Sequence, residues 1–332
     1  MTYRSWPAGA VTGIGSMPGV DPVDAVALVF GELPDLPYLP ELPARGPGAD
    51  VIGRSAALLV ELPVEIVATG WRMCAHPGRD LRRARDLLAR DLDALEQHAD
   101  GYTGALKLQA AGPWTLAAGL ELPNGHKVLS DHGAVRDLTD SLAEGVRAHL
   151  ADVAARVPGA ALVLALDEPS LPAVLDARIQ TPSGYGTLRS VDAAVARQGL
   201  HDVLSVAPDG GRVVHCCAPD VPVALLHSAG ADAVSLDATM LRPAAYDALG
   251  EAVEAGMALW LGVLPTSGAD VSLDAARRTV RGLWTDLGFP ISELPASVVP
   301  TPACGLAGME PDRVRRVLRL LRDVGRSLLD ES

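Results

Sequence analysis

The chain has few cysteines, few lysines and no long apolar run. Four of its 332 residues are cysteine, and they do not form the pattern of a disulfide-stapled domain, which predicts a reducing compartment, the cytoplasm. No apolar run approaches the ~18 residues of a membrane-spanning helix, and residues 1–6 lack the apolar core of a secretory signal. The net charge of -13 argues against nucleic acid and anionic membranes as partners, because phosphate groups would be repelled.

Short apolar segments alternate with longer amphipathic stretches along the whole chain. The predicted strands are residues 10–14, 36–39, 105–109, 161–166, 212–215, 233–236, 258–263 and 297–299. The predicted helices are residues 80–98, 134–157, 190–198, 243–255, 273–287 and 311–329. Apolar strands separated by helices are typical of a parallel sheet covered on both faces. Eight such strands predict a single domain over residues 1–332 with an α/β fold, a (β/α)8 TIM barrel. No element is predicted between residues 46 and 78.

Three apolar runs end in residues that bind transition metals. His215 and Cys217 end one run, Asp237 ends the next, and Cys304 follows the last. In a parallel barrel these carboxyl ends converge on one face. Residues two apart in a strand share a side, so His215 and Cys217 can reach one ion, whereas Cys216 points elsewhere. Nitrogen and sulfur ligands in a cytoplasmic protein indicate zinc.

These ligand types favour one kind of chemistry. Two thiolates make zinc a poor activator of water but a good holder of a third thiol from a substrate. A thiol bound to the ion loses its proton at neutral pH and becomes a nucleophile toward an alkyl donor. The pattern therefore favours thiol alkylation over hydrolysis. Cys74 belongs to no such pattern and is predicted to be buried and inert.

The same residues resemble the zinc site in the catalytic barrel of cobalamin-independent methionine synthase. That family has a His-x-Cys pair, an acid after a later strand, and a final Cys followed by Gly-Leu. His215, Cys217, Asp237 and Cys304 occur here in that order, and Cys304 is followed by Gly-Leu. The resemblance implies that these four residues are the zinc ligands.

Three further segments resemble the same family and extend the likeness over almost the whole chain. Ile14, Gly15 and Ser16 match a turn that contacts homocysteine in the family. Lys107 and the Gly-Pro-Trp-Thr-Leu stretch at 112–116 match a Lys…Gly-Pro-Val-Thr-Ile segment. The Asp-Glu-Pro-Ser-Leu stretch at 167–171 matches Asp-Glu-Pro-Ala-Leu, whose Asp holds the substrate amino group.

The resemblance implies a zinc-dependent methyltransferase that acts on the thiol of homocysteine. Its substrate-binding residues would be Ile14, Gly15, Ser16, Asp167 and Glu168, with Asp167 also as the catalytic residue. The methyl donor would be methyltetrahydrofolate or a methyl-corrinoid protein.

The chain also departs from the family. One barrel is predicted, without the second, N-terminal barrel of full-length members, and Asp237 stands in place of a Glu ligand. The loop at 262–267 lacks the histidine that acts as an acid on the folate, and Ala118 and Gly119 stand where a tryptophan stacks on the pterin. Trp114 lies nearby, but its predicted role is core packing. The thiol half of the site therefore resembles the family more closely than the methyl-donor half.

Two other functions remain open from the residues. A uroporphyrinogen decarboxylase-like barrel would use Arg45, Arg54 and Asp167 on a tetrapyrrole without metal, although exposed arginines are common on any surface. A non-catalytic relative would bind zinc or a thiol metabolite without turnover, which the missing donor-side residues would explain.

Overall fold

The computed structural model describes residues 4–268 and 270–330, within which six strands form a curled parallel sheet. Its strands follow one another in chain order: β3 (Ala105–Ala111), β4 (Ala161–Asp167), β5 (Arg212–Cys216), β6 (Ala233–Asp237), β7 (Ala258–Leu264) and β8 (Val298–Pro302). An antiparallel hairpin of β1 (Val64–Val67) and β2 (Gly70–Met73) precedes the sheet. Nearly every residue of the six parallel strands is buried, as expected for a sheet covered on both faces.

Helices surround the sheet. They are α1 (Pro22–Glu32), α2 (Val51–Ala56), α3 (Arg79–His98), α4 (Pro113–Gly119), α5 (His132–Arg156), α6 (Leu171–Leu175), α7 (Ala193–Leu204), α8 (Val223–Ser228), α9 (Tyr246–Glu254), α10 (Leu273–Asp286), α11 (Leu294–Ser297) and α12 (Pro311–Leu329). Short 3-10 helices occupy Pro43–Arg45, Val128–Ser130, Ala238–Met240, Pro243–Ala245 and Ile291–Glu293. No helix in the described part of the chain is both long and apolar enough to cross a membrane.

Six of the eight predicted strands are confirmed. The other two, at 10–14 and 36–39, are wrong as regular strands, because neither segment is a strand in the structure: Tyr38 forms an isolated bridge with Lys107, and residues 10–14 form none. Pro37 and Pro40 lack a backbone N–H, so the second segment cannot form a continuous ladder. The sequence thus placed both segments correctly along the chain but overstated their regularity.

These two segments nevertheless lie along the two edges of the sheet. On one side, the backbone N–H of Thr12 donates to the carbonyl of Pro300 in β8 at 3.4 Å. On the other side, the N–H of Leu39 donates to the carbonyl of Lys107 in β3 at 3.0 Å. Just past the two segments, a parallel bridge joins Ser16 to Glu41. The fold is therefore a curled α/β sheet of the TIM-barrel-like type.

The predicted helices are confirmed with shifted ends. The helix predicted at 190–198 begins at Ala193, because the side chain of Asp192 accepts a hydrogen bond from the N–H of Ala194 and caps the first turn. The first turn predicted at 243–255 is a 3-10 helix. The unassigned region between 46 and 78 contains α2 and the β1–β2 hairpin.

The inner side of the sheet has an apolar floor. This cluster comprises Trp6, Ala10, Leu36, Ala105, Val163, Ala165, Val213, Ala233, Ala258, Trp260 and Val299. The rings of Trp6 and Trp260 meet edge to face at 5.1 Å. Because strand residues alternate between faces, the polar residues that share the inner side with this floor include Lys107, Asp167, His215 and Ser235. The strand pattern thus gathers polar groups toward the carboxyl ends of the strands.

Candidate metal centre

A group of three metal-binding side chains forms where β5 and β8 end. The donor atoms of His215, Cys217 and Cys304 all lie within 4.8 Å of one another. The two sulfur atoms are 3.5 Å apart, although 87 residues separate them in sequence. The predicted pairing of His215 with Cys217 and their convergence with Cys304 are therefore present in the fold.

A hydrogen bond orients the imidazole of His215. Its Nδ1 lies 2.9 Å from the hydroxyl oxygen of Ser235, the residue opposite His215 in the β5–β6 ladder. Its Nε2 is buried and has no hydrogen-bond partner among the described residues. Such an arrangement leaves one ring nitrogen for a metal while the other is fixed by a neighbour. Sequence reasoning missed Ser235, although its place two residues before Asp237 gave it the same inward direction.

The two sulfurs of the group do not titrate independently. The hydrogen bond with Cys217, together with the nearby His215 imidazole, lowers the pKa of the Cys304 thiol. The same hydrogen bond and burial raise the pKa of the Cys217 thiol. Two cysteine sulfurs and one imidazole nitrogen are a donor set suited to a soft divalent cation, and zinc fits these residues.

Asp237 does not lie in this group of the described residues. Its Oδ1 accepts hydrogen bonds from the N–H of Thr239 at 2.8 Å and from the Thr239 hydroxyl at 2.7 Å. It thereby caps the 3-10 helix Ala238–Met240. The structure brings together three of the four predicted ligands and places the fourth at the start of the next turn. Cys216, as predicted, is outside the group, and it is fully buried.

Asp167 ends β4 directly beside the metal-binding group. It pairs with His215 in the β4–β5 ladder, and its side chain is buried. Its Oδ1 finds no hydrogen-bond partner in residues 4–268 and 270–330. Burial raises the pKa of this carboxyl well above its usual value, Glu41 raises it further, and the ammonium of Lys107 opposes both. A buried carboxylate oxygen without a donor is suited to receive a cationic group from a ligand.

Lys107 ties the predicted substrate turn to the sheet. Its Nζ donates to the carbonyl of Ile14 at 2.5 Å and to the side-chain oxygen of Gln109 at 3.1 Å. Burial lowers the pKa of this ammonium to about 8, against the attraction of Asp167 and Glu41. The turn that begins at Ile14 is thus held by the buried ammonium of Lys107 at the carboxyl-terminal edge of the sheet. We call this edge the mouth of the sheet.

Glu41 is a second buried carboxylate at this mouth, and sequence reasoning missed it. It is 6% exposed, and its N–H donates to the carbonyl of Gly15 at 3.1 Å. Burial raises the pKa of Glu41, while the guanidinium of Arg54 opposes that rise. The available signal was its position just past the predicted strand at 36–39, where functional residues gather in parallel folds.

The predicted substrate turn, residues 14–16, is in direct contact with residues 305–306, which follow Cys304. The N–H of Leu306 donates to the carbonyl of Ser16 at 2.8 Å. Gly305 lies so close to the Ser16 side chain that a Cβ at this position would overlap the hydroxyl. The turn containing Gly15 and Ser16 therefore adjoins Cys304, as a shared site requires.

Glu168, predicted to bind substrate, is engaged by the first turn of α4. Its carboxylate accepts hydrogen bonds from the N–H of Trp114 at 2.9 Å, the N–H of Thr115 at 2.8 Å and the Thr115 hydroxyl at 2.7 Å. It is fully buried, and the absent side chain of Gly112 leaves room for it. The observed contacts give Glu168 a structural role.

We expect Glu168→Gln to lower the free energy of unfolding by about 1–3 kcal/mol, because an amide offers one acceptor oxygen where the carboxylate offers two. Urea denaturation measures this change. Glu310→Gln is the control, since Glu310 stands directly before α12 but makes no capping hydrogen bond with its side chain in the described chain. The control should change stability by no more than about 0.5 kcal/mol. Equal effects in the two variants would contradict the capping role.

Arg45 and Arg54 are not exposed, because their guanidinium groups pair with the buried Asp91. This pairing removes the basis for a tetrapyrrole site built on these arginines.

Cys74 is half-buried, so the prediction of burial is wrong, and its Sγ lies 3.2 Å from the carbonyl oxygen of His76. Trp114 is 1% exposed, which confirms its core role.

Comparison with known proteins identifies the family. The family model described as the catalytic domain of cobalamin-independent synthase matches residues 10–327. A search of curated proteins finds no match. Among solved structures, a B12-independent methionine synthase from Shewanella sp. W3-18-1, in complex with selenomethionine, superposes with a TM-score of 0.62 at 13% identity. The superposition covers 98% of this chain and 99% of that one, and it shows a common fold.

A second solved structure is less similar. The GH5_18 protein from Streptomyces cattleya, in complex with GlcNAc, has a TM-score of 0.48 at 15% identity, over 99% of this chain and 82% of that one. The match of the family model to almost the whole chain confirms the resemblance predicted from the residues: this chain belongs to the family of cobalamin-independent synthase catalytic domains.

Proposed function

We propose that this protein is a zinc-dependent methyltransferase that moves a methyl group to the thiol of homocysteine. The observation that carries the proposal is the convergence of His215, Cys217 and Cys304 next to an unpartnered carboxylate oxygen of Asp167 in the described chain. The family match supports the reaction type. The need for reduced thiols supports a cytoplasmic location.

We also infer that the fold closes as a single (β/α)8 barrel over residues 1–332. The extended segments at 10–14 and 36–39 would occupy the first two of eight positions. Their hydrogen bonds to β8 and β3, and the bridge between Ser16 and Glu41 just past them, support this inference.

The metal would be held by His215 through Nε2 and by the sulfurs of Cys217 and Cys304. A zinc ion bound there would supply the positive charge that keeps the acceptor thiol deprotonated at neutral pH. Asp237 would lie outside the set of zinc ligands, because its carboxylate accepts hydrogen bonds from Thr239. The Ser235 hydroxyl would hold the imidazole in the orientation that ligation requires.

The protein would bind the amino-acid part of the acceptor at both of its charged ends. The carboxylates of Asp167 and Glu41 lie at the mouth of the sheet, and an ammonium group would partner the free oxygen of Asp167. The turn at Ile14, Gly15 and Ser16 would offer backbone N–H groups to the acceptor carboxylate. Both contacts would fix the sulfur for attack, and such positioning accounts for a large part of a bimolecular rate enhancement.

In the transfer itself, a lone pair on the acceptor sulfur forms a bond to the methyl carbon. The bond between that carbon and its carrier breaks, and the electron pair of the broken bond stays with the carrier; a folate nitrogen that keeps this pair takes up a proton from solvent water. The carrier is a nitrogen atom in methyltetrahydrofolate or a cobalt atom in a methyl-corrinoid protein.

The test is a methyl-transfer assay with the zinc-loaded protein, homocysteine and each donor in turn. We expect methionine from methyltetrahydrofolate or from methylcobalamin, a small-molecule substitute for the corrinoid protein. Tight binding of homocysteine without methionine from either of these donors or from a methyl-corrinoid protein would favour the non-catalytic alternative. A protein that binds neither zinc nor homocysteine would refute the proposal.

A further inference from the structure

A buried network of charges connects helix α3 to the mouth of the sheet. Asp91, on α3, is fully buried, and its two carboxylate oxygens lie 2.7 and 2.9 Å from guanidinium nitrogens of Arg45. An Nη1 atom of Arg54 is 2.5 Å from the same carboxylate. The Nε of Arg54 is 3.4 Å from the carboxylate of Glu41. Arg54 therefore bridges an acid outside the sheet and an acid at the site.

The two arginines differ in what they reach. Arg45 and Arg54 are both largely buried, and both pair with Asp91. Within the described residues, only Arg54 also pairs with Glu41. The protein thus contains two arginines with the same acidic partner, one of which contacts the site while the other does not.

Stability alone is a weak explanation for this network. Removing charges from water costs several kcal/mol per ion, and well-packed apolar residues in place of a buried ion pair are often as stable. A network of this kind is better suited to fixing the position of a group than to holding the fold together. The group at its inner end is the carboxylate of Glu41.

We propose that Arg54, held by Asp91, is a positioning residue that keeps the carboxylate of Glu41 aimed at the ammonium group of the acceptor. The network then makes the site selective for thiols that carry an amino group. This inference rests on the proposed function, because it takes an amino-acid thiol as the acceptor. It adds the residues that orient one of the two carboxylates.

The test compares Arg54→Met with Arg45→Met in the zinc-loaded, full-length protein. Calorimetric titration would measure the Kd of homocysteine and of 4-sulfanylbutanoate, the same thiol acid without the amino group. We expect Arg54→Met to weaken homocysteine binding by about tenfold to a hundredfold, the size of one charge-assisted hydrogen bond. Its affinity for 4-sulfanylbutanoate should not change, and Arg45→Met should leave the Kd of both thiols within about twofold of wild type.

Three outcomes would overturn the inference. These are unchanged homocysteine affinity in Arg54→Met, equal losses in the two variants, and an equal loss for the two thiols. A wild-type protein that does not bind homocysteine would instead refute the proposed function, so the two failures are separable. If Arg54→Met does not fold, Arg54→Lys replaces it. A lysine can pair with Asp91 but cannot span both acids, so the selective loss for homocysteine is still expected.

Discussion

Replacing Cys217 with serine is expected to reduce bound zinc from about one ion per chain to nearly none, and to abolish methyl transfer. Cys217 provides one of the three donors that the fold brings within 4.8 Å of one another. A serine hydroxyl is a much poorer ligand for zinc than a thiolate, and with it the acceptor sulfur loses the charge that would keep it deprotonated. Elemental analysis of protein purified without a metal-binding tag measures the zinc, and methionine formation measures the transfer.

Cys216→Ser is the matched control for this prediction. Cys216 is the adjacent residue and is fully buried, but its side chain lies outside the donor group of the described residues. The control should therefore keep its zinc and its activity, with any loss confined to stability. Zinc that stays in Cys217→Ser, or that disappears equally from both variants, would mean that the metal is not bound by this thiol.

The parts of the site that could be predicted from sequence are those that depend on a local repeat. In β5 the alternation of side chains placed His215 and Cys217 together and Cys216 apart, and this needed no knowledge of neighbouring strands. The meeting of Cys217 with Cys304 followed from the parallel fold, in which the carboxyl ends of strands converge. The same reasoning located six of the strands, because buried parallel strands form continuous apolar runs.

The parts that could not be predicted depend on contacts between distant segments. Ser235 orients His215 only because β5 and β6 pair in one particular register, and apolar runs alone do not specify that register. Glu41 reaches the site from an irregular, proline-interrupted segment that has no periodic pattern. Asp237 was placed correctly at a strand end, but the hydroxyl of Thr239, two residues later, engages its side chain.

The same limit explains the two arginines. In the sequence, Arg45 and Arg54 are indistinguishable from exposed cations, since the acid with which they pair, Asp91, lies on α3, about 40 residues further along the chain. Burial of a charge depends on its partner, and a partner from another helix leaves no local signal. The tetrapyrrole alternative arose because the sequence does not show that these arginines are buried and paired. The ion pairs with Asp91 remove the reason for it.

Asp167→Asn is expected to lower kcat/KM for homocysteine by about 10²–10³-fold while zinc remains bound. The basis is the cost of removing one partner from a buried charge pair, about 2–5 kcal/mol. Asp167 is buried, pairs with His215 across the β4–β5 ladder, and has an oxygen without a donor in the described chain, so an acceptor ammonium is its expected partner. Steady-state methyl transfer, with the donor saturating, measures the effect.

The amine-free thiol 4-sulfanylbutanoate separates this role from a role in metal binding. Asn keeps the size of Asp but loses its negative charge, so transfer to homocysteine should fall while transfer to the amine-free thiol stays within about threefold of wild type. A parallel loss with both thiols, accompanied by loss of zinc, would assign Asp167 to the metal site. Unchanged kinetics with homocysteine would mean that Asp167 does not bind the amino group of the acceptor. Glu41 would then be the carboxylate that binds it, and the Arg54→Met titration tests that role independently.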